Sequence, residues 1–262
     1  MRKVIYFIFL ILLVKDAFPQ SVETQMRAEI PFKMERFIGV DNFNNLYGIN
    51  QQVFYKIGAT KKQEFQALQL GNITSADIIN PLKITLFYKN TNTVVILDNN
   101  LNEIDRINFS QIQNFRNLAS ATTGKNRSLW IYNIDLQRLE LFDYYRERVL
   151  AHSQPLQENV LNHKSNFNFC WILSKQNIKV YNTYGSLVGT LPNNGYKKIS
   201  ENNNRLAAVN EQGKIALLLE EKKQFIPLSI SQNAVKDFYL QNDYLYIYSG
   251  KKIYQYQLTL PN

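Results

Sequence analysis

The stretch Ile84-Thr85-Leu86-Phe87-Tyr88-Lys89-Asn90-Thr91-Asn92-Thr93-Val94-Val95-Ile96-Leu97-Asp98 decides the fold. Two apolar runs rich in β-branched and aromatic residues flank a four-residue polar turn, which reads as two strands joined by a turn. Asn99 and Asn100 then turn the chain into a third, more polar run, Glu103 to Ile107. The same order recurs downstream. Leu129 to Asn133 is followed by Arg138 to Asp143 and Arg146 to Leu150. Phe169 to Ser174 is followed by Asn177 to Asn182 and Ser186 to Leu191, and Arg205 to Asn210 by Lys214 to Glu220 and Gln224 to Leu228. A weaker strand precedes each copy, as at Ser75 to Ile79 and Lys197 to Glu201, so the unit is a four-stranded antiparallel meander with strands A to D in chain order.

The C strands centre near Val53, Val95, Glu140, Lys179, Ala216 and Tyr254, at intervals of 42, 45, 39, 37 and 38 residues. A spacing of about 40 residues is that of one propeller blade. The sequence therefore predicts an all-β fold, a six-bladed β-propeller, over residues 21–262. An irregular β-sandwich, an open solenoid or another blade number are the competing readings. The first unit spans Arg36 to Val40, Leu46 to Asn50, Gln52 to Ile57 and Glu64 to Leu70. The last has three strands only, Val235 to Leu240, Tyr244 to Tyr248 and Lys252 to Leu258. Val22 to Ile30 has the length of the missing strand. Closure of the ring by this N-terminal strand would remove an edge that is otherwise prone to aggregate. Gln111 to Leu118 is the one segment that could form a short helical turn.

Composition agrees with that architecture. Tyr and Phe number 16 each and Gly only 10, so the 31 Asn carry many of the turns; Asn tolerates the left-handed conformation that turns require. Residues 1–20 read as a signal peptide: Arg2-Lys3, eleven apolar residues from Val4 to Val14, and a polar end at Ala17-Phe18-Pro19-Gln20. Eleven helical residues cover about 16 Å, half a bilayer core, so cleavage near Gln20 and no membrane insertion of the mature chain are expected. No Cys follows the apolar run, which disfavours a lipid anchor.

The net charge is +9, and removing Arg2, Lys3, Lys15 and Asp16 leaves +7. That surplus favours acidic partners or an anionic surface, with protein expected rather than nucleic acid for an exported chain. Cys170 is the only cysteine and sits in an apolar run, which makes it a core residue. His152 and His163 have no acidic or thiol partner at ligand spacing, Asp98 to Asn102 is half a calcium loop at most, and no nucleophile elbow or phosphate loop is present. No metal, cofactor or catalytic residue is expected. Trp130 and Trp171, at equivalent places in consecutive B strands, read as packing between blades. An enzyme of this architecture would converge polar residues on the channel, and Glu35, Asp77, Asn117, Asn159 and Glu201 are the residues so placed.

The alternation of a meander sends A–B and C–D turns to one face of a propeller and B–C and D–A connections to the other. The first set contains Lys61, Lys62, Lys125, Arg127, Tyr144, Tyr145, Arg146, Lys164, Tyr184, Lys222 and Lys223. The second is read as mostly Asn, Gln, Ser and Thr with mixed charges. Paired lysines with exposed tyrosines suit a protein interface, and these residues form the expected binding face.

The signal ending Ala17-Phe18-Pro19-Gln20, the Asn-rich hairpins and degenerate repeats such as Leu129 to Asp143 resemble the small exported single-propeller proteins of the Bacteroidota. That resemblance implies a periplasmic, non-catalytic protein-binding disc whose partners are envelope or secretion-system proteins, with an accessory role in the type 9 secretion translocon as one form. A metal-dependent sugar-lactonase-like hydrolase and a secreted adhesin are the alternatives. The adhesin is disfavoured because no sorting domain follows Leu260-Pro261-Asn262.

Overall fold

The computed structural model describes residues 22–219, 223–231 and 234–260. The expected signal peptide, residues 1–20, lies outside them. The strands of the opening stretch form as read: Ile84–Tyr88 pairs antiparallel with Thr93–Leu97, Ile84 opposite Leu97 and Tyr88 opposite Thr93, and every residue of both is buried. A strand with a neighbour on each side and a packed layer on each face has no solvent to meet, which is why these runs are continuously apolar rather than alternating.

The chain is a six-bladed β-propeller. Its strands form six four-stranded sheets. In blade 3 they are Leu118–Thr123, Ser128–Asn133, Arg138–Asp143 and Arg148–His152; in blade 4, Val160–Ser165, Phe169–Ser174, Asn177–Asn182 and Leu187–Pro192. Outer D strands such as Arg148–His152 alternate between exposed and half-buried residues, as an edge with one packed face should. The core lies between blades. Trp130 packs with Cys170 and Ile172 across the blade 3–4 interface, and Trp171 with Leu206 and Ala208 across blades 4–5. Both tryptophans and Cys170 are therefore packing residues, and burial pushes the Cys170 thiol well above its ordinary value.

Closure follows the expected route. Glu23–Pro31 pairs antiparallel with Lys252–Thr259, from Glu23 opposite Thr259 to Pro31 opposite Lys252, with a bulge between Met26 and Ala28. The N-terminal strand thus supplies strand D to the blade whose other three strands are Asp237–Gln241, Tyr244–Tyr248 and Lys252–Thr259. Val22 enters the core beside Leu240, Leu245 and Leu258.

Two local expectations change. Strand D of blade 1 is Lys62–Gln66, and the chain then makes a 3-10 turn, Leu68–Leu70, that returns Leu70 to the core. Residues 111–114 form a turn and bends and 115–117 run without regular structure, so no helix forms there; the Arg116 backbone N–H donates to the Phe109 carbonyl. No helix among the described residues is long and apolar enough to cross a membrane.

Asparagine and aspartate set the turns. In Asp41–Asn45 the Asp41 Oδ1 accepts from the backbone of Phe43 and Asn45, and Asp98 does the same for Asn100 and Asn102. Asn44, Asn92, Asn203 and Asn242 hold the left-handed backbone. Gly185 is a position where only glycine fits: φ is +78°, and a Cβ would sit 2.2 Å from the carbonyl oxygen of His152.

Candidate protein-binding face

The antiparallel order of every blade puts the A–B and C–D turns on one face, here the A–B face. Blade 3 brings four of the expected residues together. Lys125 and Arg127 in its A–B turn and Tyr145 and Arg146 in its C–D turn line one shallow depression with Asp143 and Leu150. Asp143 shapes the turn, because its Oδ1 accepts the backbone N–H of Tyr145 and of Arg146 at 3.0 Å. The Arg127 guanidinium lies 4.4 Å over the Tyr145 ring, and Tyr145 remains 69% exposed. Tyr184, in the C–D turn of blade 4, is 82% exposed, with its backbone N–H held by Asn182 Oδ1.

The remaining candidates are dispersed or corrected. Lys61 and Lys62 belong to blade 1, where the Lys62 ammonium sits 4.1 Å over the Tyr55 ring. Lys223 is exposed in the C–D turn of blade 5, and Lys222 lies outside the described residues. Tyr144 is not a surface residue. It is 9% exposed and packs with Phe142, Phe109 and Ile107 between blades 2 and 3, and burial raises its hydroxyl pKa. The Asp143-capped turn projects Tyr145 outward and folds Tyr144 back. Lys164 is also not in a turn; it lies on the inner strand Val160–Ser165, facing the central channel.

Charge does not separate the two faces. Lys33, Lys89, Lys175, Lys214, Lys236 and Lys251 are exposed in the connections of the opposite face. Aromatic exposure does separate them. On the A–B face Phe43 is 77% exposed, and Phe167, Tyr145 and Tyr184 are exposed with it; among the described residues the opposite connections expose one large aromatic, Phe115. Phe43 and Phe167 were missed by the sequence reading. Each sits in an Asn-Phe-Asn triplet, 42–44 and 166–168, in the A–B turns of blades 1 and 4, on opposite sides of the ring.

Between them runs a chain of side-chain amides across the channel mouth. Gln241 donates to Asn42 Oδ1 at 2.6 Å, Asn202 to Gln241 Oε1 at 3.2 Å, and Asn203 to Asn242 Oδ1 at 3.1 Å. Asn166 donates to Asn204 Oδ1 and to Glu201 Oε1, both at 2.9 Å. Four A–B turns are thereby linked into one platform, and rigid aromatic groups on a rigid platform lose little entropy on binding. The signal for it was the recurrence of Asn166, Asn204 and Asn242 at a spacing of 38 residues.

The residues proposed for an enzyme do not converge. Glu35, Asn117 and Asn159 are exposed before their A strands, and Glu35 accepts the backbone N–H of Gln51. Only Asp77 and Glu201 lie inside. Asp77 Oδ2 accepts from Thr123 N at 2.7 Å, and burial raises the pKa of Glu201. The described residues hold no group of three His, Cys, Asp or Glu side chains suited to a metal ion. His163 is enclosed by Ser120, Thr122 and Cys170, and burial depresses its pKa to about 3, so its ring is neutral.

No protein-family model and no curated protein matches the sequence. Solved structures do match. Virginiamycin B lyase from Staphylococcus aureus superposes with a TM-score of 0.61 at 11% identity, covering 90% of this chain and 100% of that one. BamB from Moraxella catarrhalis gives 0.55 at 10% identity, covering 90% and 98%. PorZ, an essential bacterial surface component of the type-IX secretion system of Porphyromonas gingivalis, gives 0.52 at 12% identity over 86% of this chain and 31% of PorZ. The likeness is one of fold.

Proposed function

We propose that this chain is a non-catalytic, protein-binding propeller of the cell envelope, exported to the periplasm, and that its finer role is accessory to type 9 protein secretion. The observation that carries the binding role is the exposure of Phe43, Tyr145, Phe167 and Tyr184 on the amide-linked A–B face. Solvated aromatic side chains are costly to leave in water and supply most of the affinity in protein interfaces. The signal-like segment 4–14 supports export, and the fold shared with PorZ supports the secretion context.

Affinity for an envelope protein co-purified with the chain tests the reading. Tyr145→Ala and Tyr184→Ala should each weaken the complex several-fold, and together up to about a hundredfold, without moving the melting temperature. Reversal of Lys61, Lys125 and Lys223 to Glu should slow association at low salt, since exposed charges steer encounter more than they hold the complex. Native affinity in the tyrosine variants would refute the proposal.

A further inference from the structure

The central channel has a second mouth, on the face opposite the exposed aromatics. The first residues of the inner strands surround a cavity of ≈ 260 Å³ there, space for about nine waters at ~30 Å³ each. Arg36, Lys164 and Lys198 bring three cations to its wall, and Asp237 brings one carboxylate. His163 lies in the same wall but is neutral.

Two of the cations are engaged. Lys198 Nζ donates to Asp237 Oδ1 at 2.7 Å and to the Lys236 carbonyl at 3.1 Å. Arg36 Nη1 donates to the carbonyls of Ile73 and Thr74, both at 3.0 Å, which occupies hydrogens without balancing charge. Lys164 differs from both. Among the described residues its ammonium has no hydrogen-bonding partner; the side chain is half-buried in the channel wall, and that burial lowers its pKa. Asp77 and Glu201 feel its charge from deeper in the channel. Asp77 is already committed to the backbone of Thr123 and Ile79, and Glu201 Oε1 to Asn166 and Asn204. A half-buried ammonium left without a hydrogen-bond partner, in a cavity wall that holds three cations and one carboxylate, offers a free donor and a positive field to an anion.

We infer that this mouth binds a small anion carrying a carboxylate or phosphate group, with Lys164 Nζ as its direct donor and Arg36 and Lys198 drawing it in at the rim. The cavity admits a molecule of small-metabolite size; a drug-sized ligand usually needs roughly 300–1,000 Å³. This site is independent of the protein-binding face, and either can fail without the other.

Sodium phosphate and sodium succinate, titrated separately into the full chain by calorimetry with chloride holding ionic strength constant, test the inference. At least one should bind saturably with one site per chain; phosphate alone assigns the phosphoryl class, succinate alone the carboxylate class. Lys164→Met should weaken that binding at least tenfold, Lys164→Arg should retain most of it, and Lys89→Ala with Lys175→Ala should leave it unchanged. A second readout needs no variant. Reductive methylation of the native protein followed by peptide mass spectrometry should show Lys164 protected by the bound anion and Lys175 unprotected. If neither anion saturates, Lys164 serves only to balance Asp77 and Glu201 and the inference is wrong. Native binding by Lys164→Met, or equal protection of Lys164 and Lys175, would overturn it as well.

Discussion

Replacing Glu140 by Ala is the sharpest test of how the blades are fastened together. Glu140 is fully buried on the strand Arg138–Asp143. Its Oε2 accepts from Arg116 Nε at 2.9 Å and its Oε1 from Arg138 Nε at 2.8 Å. Arg116 arrives from the connection between blades 2 and 3, stacks 4.8 Å from the Phe142 ring, and has its carbonyl gripped by the Asn92 side chain at 2.6 Å. Arg138 is partly open and can turn to solvent once the carboxylate is gone. Arg116 cannot, so the cost is chiefly its own uncompensated charge. Removing one partner of a buried ion pair costs about 3–5 kcal/mol. For a domain of this size each kcal/mol moves the melting temperature by about 2–4 °C, which predicts a fall of about 6–20 °C. Thermal unfolding by circular dichroism and urea titration at pH 7 read this directly. Arg116→Met combined with Glu140→Met should recover most of the loss, because apolar replacement of both partners is close to neutral. A cost below ~1 kcal/mol for Glu140→Ala, the low range of exposed pairs, would show that Arg116 does not depend on this carboxylate.

Deleting residues 22–31 strips the outer strand from the closing blade and bares the Lys252–Thr259 edge; cooperative unfolding should be lost and oligomers should appear in size-exclusion chromatography. Tyr144→Ala should cost about 3 kcal/mol in urea unfolding while Tyr145→Ala costs under ~0.5, because only the first empties a packed site. His163 has a folded pKa of about 3, below its ordinary 6.5, so the unfolded chain takes up the proton first. Its contribution to stability is complete above about pH 6.5 and is lost as the pH falls toward 3, with a slope of about 1.4 kcal/mol per pH unit. His163→Gln should remove that share of the slope between pH 6 and 4, and an unchanged slope would show that the ring is not held neutral.

The ring was legible because its B and C strands are doubly covered. Ile84–Tyr88 and Thr93–Leu97 announce themselves as buried strands, and the polar Asn turns between such runs fix the blade period. Closure was legible for a related reason: three strands at one end of the chain and one spare strand at the other have a single economical pairing. What failed depended on position within a turn. Tyr144 and Tyr145 are neighbours of one chemical type, and only the Asp143 cap decides which points inward. Lys164 lies on the inner strand rather than in the turn that follows it, and that small shift carries it from the face into the channel. Phe43 and Phe167 drew no notice in the sequence, although both stand in Asn-Phe-Asn triplets of A–B turns, where the structure leaves them exposed. Lysines in the B–C and D–A connections were undercounted, so the two faces differ in aromatic exposure and not in charge.

Docking of partners on the A–B face can be read by site-specific photo-cross-linking in the living cell. A benzoylphenylalanine placed at Phe43, Phe167 or Tyr184 should yield one recurrent cross-linked envelope protein, identified by mass spectrometry. The same probe at Phe115, Ile134 or Leu136, exposed in connections of the other face, should not capture it. Capture from that second set in preference to the first, or no recurrent adduct from any position, would contradict the account.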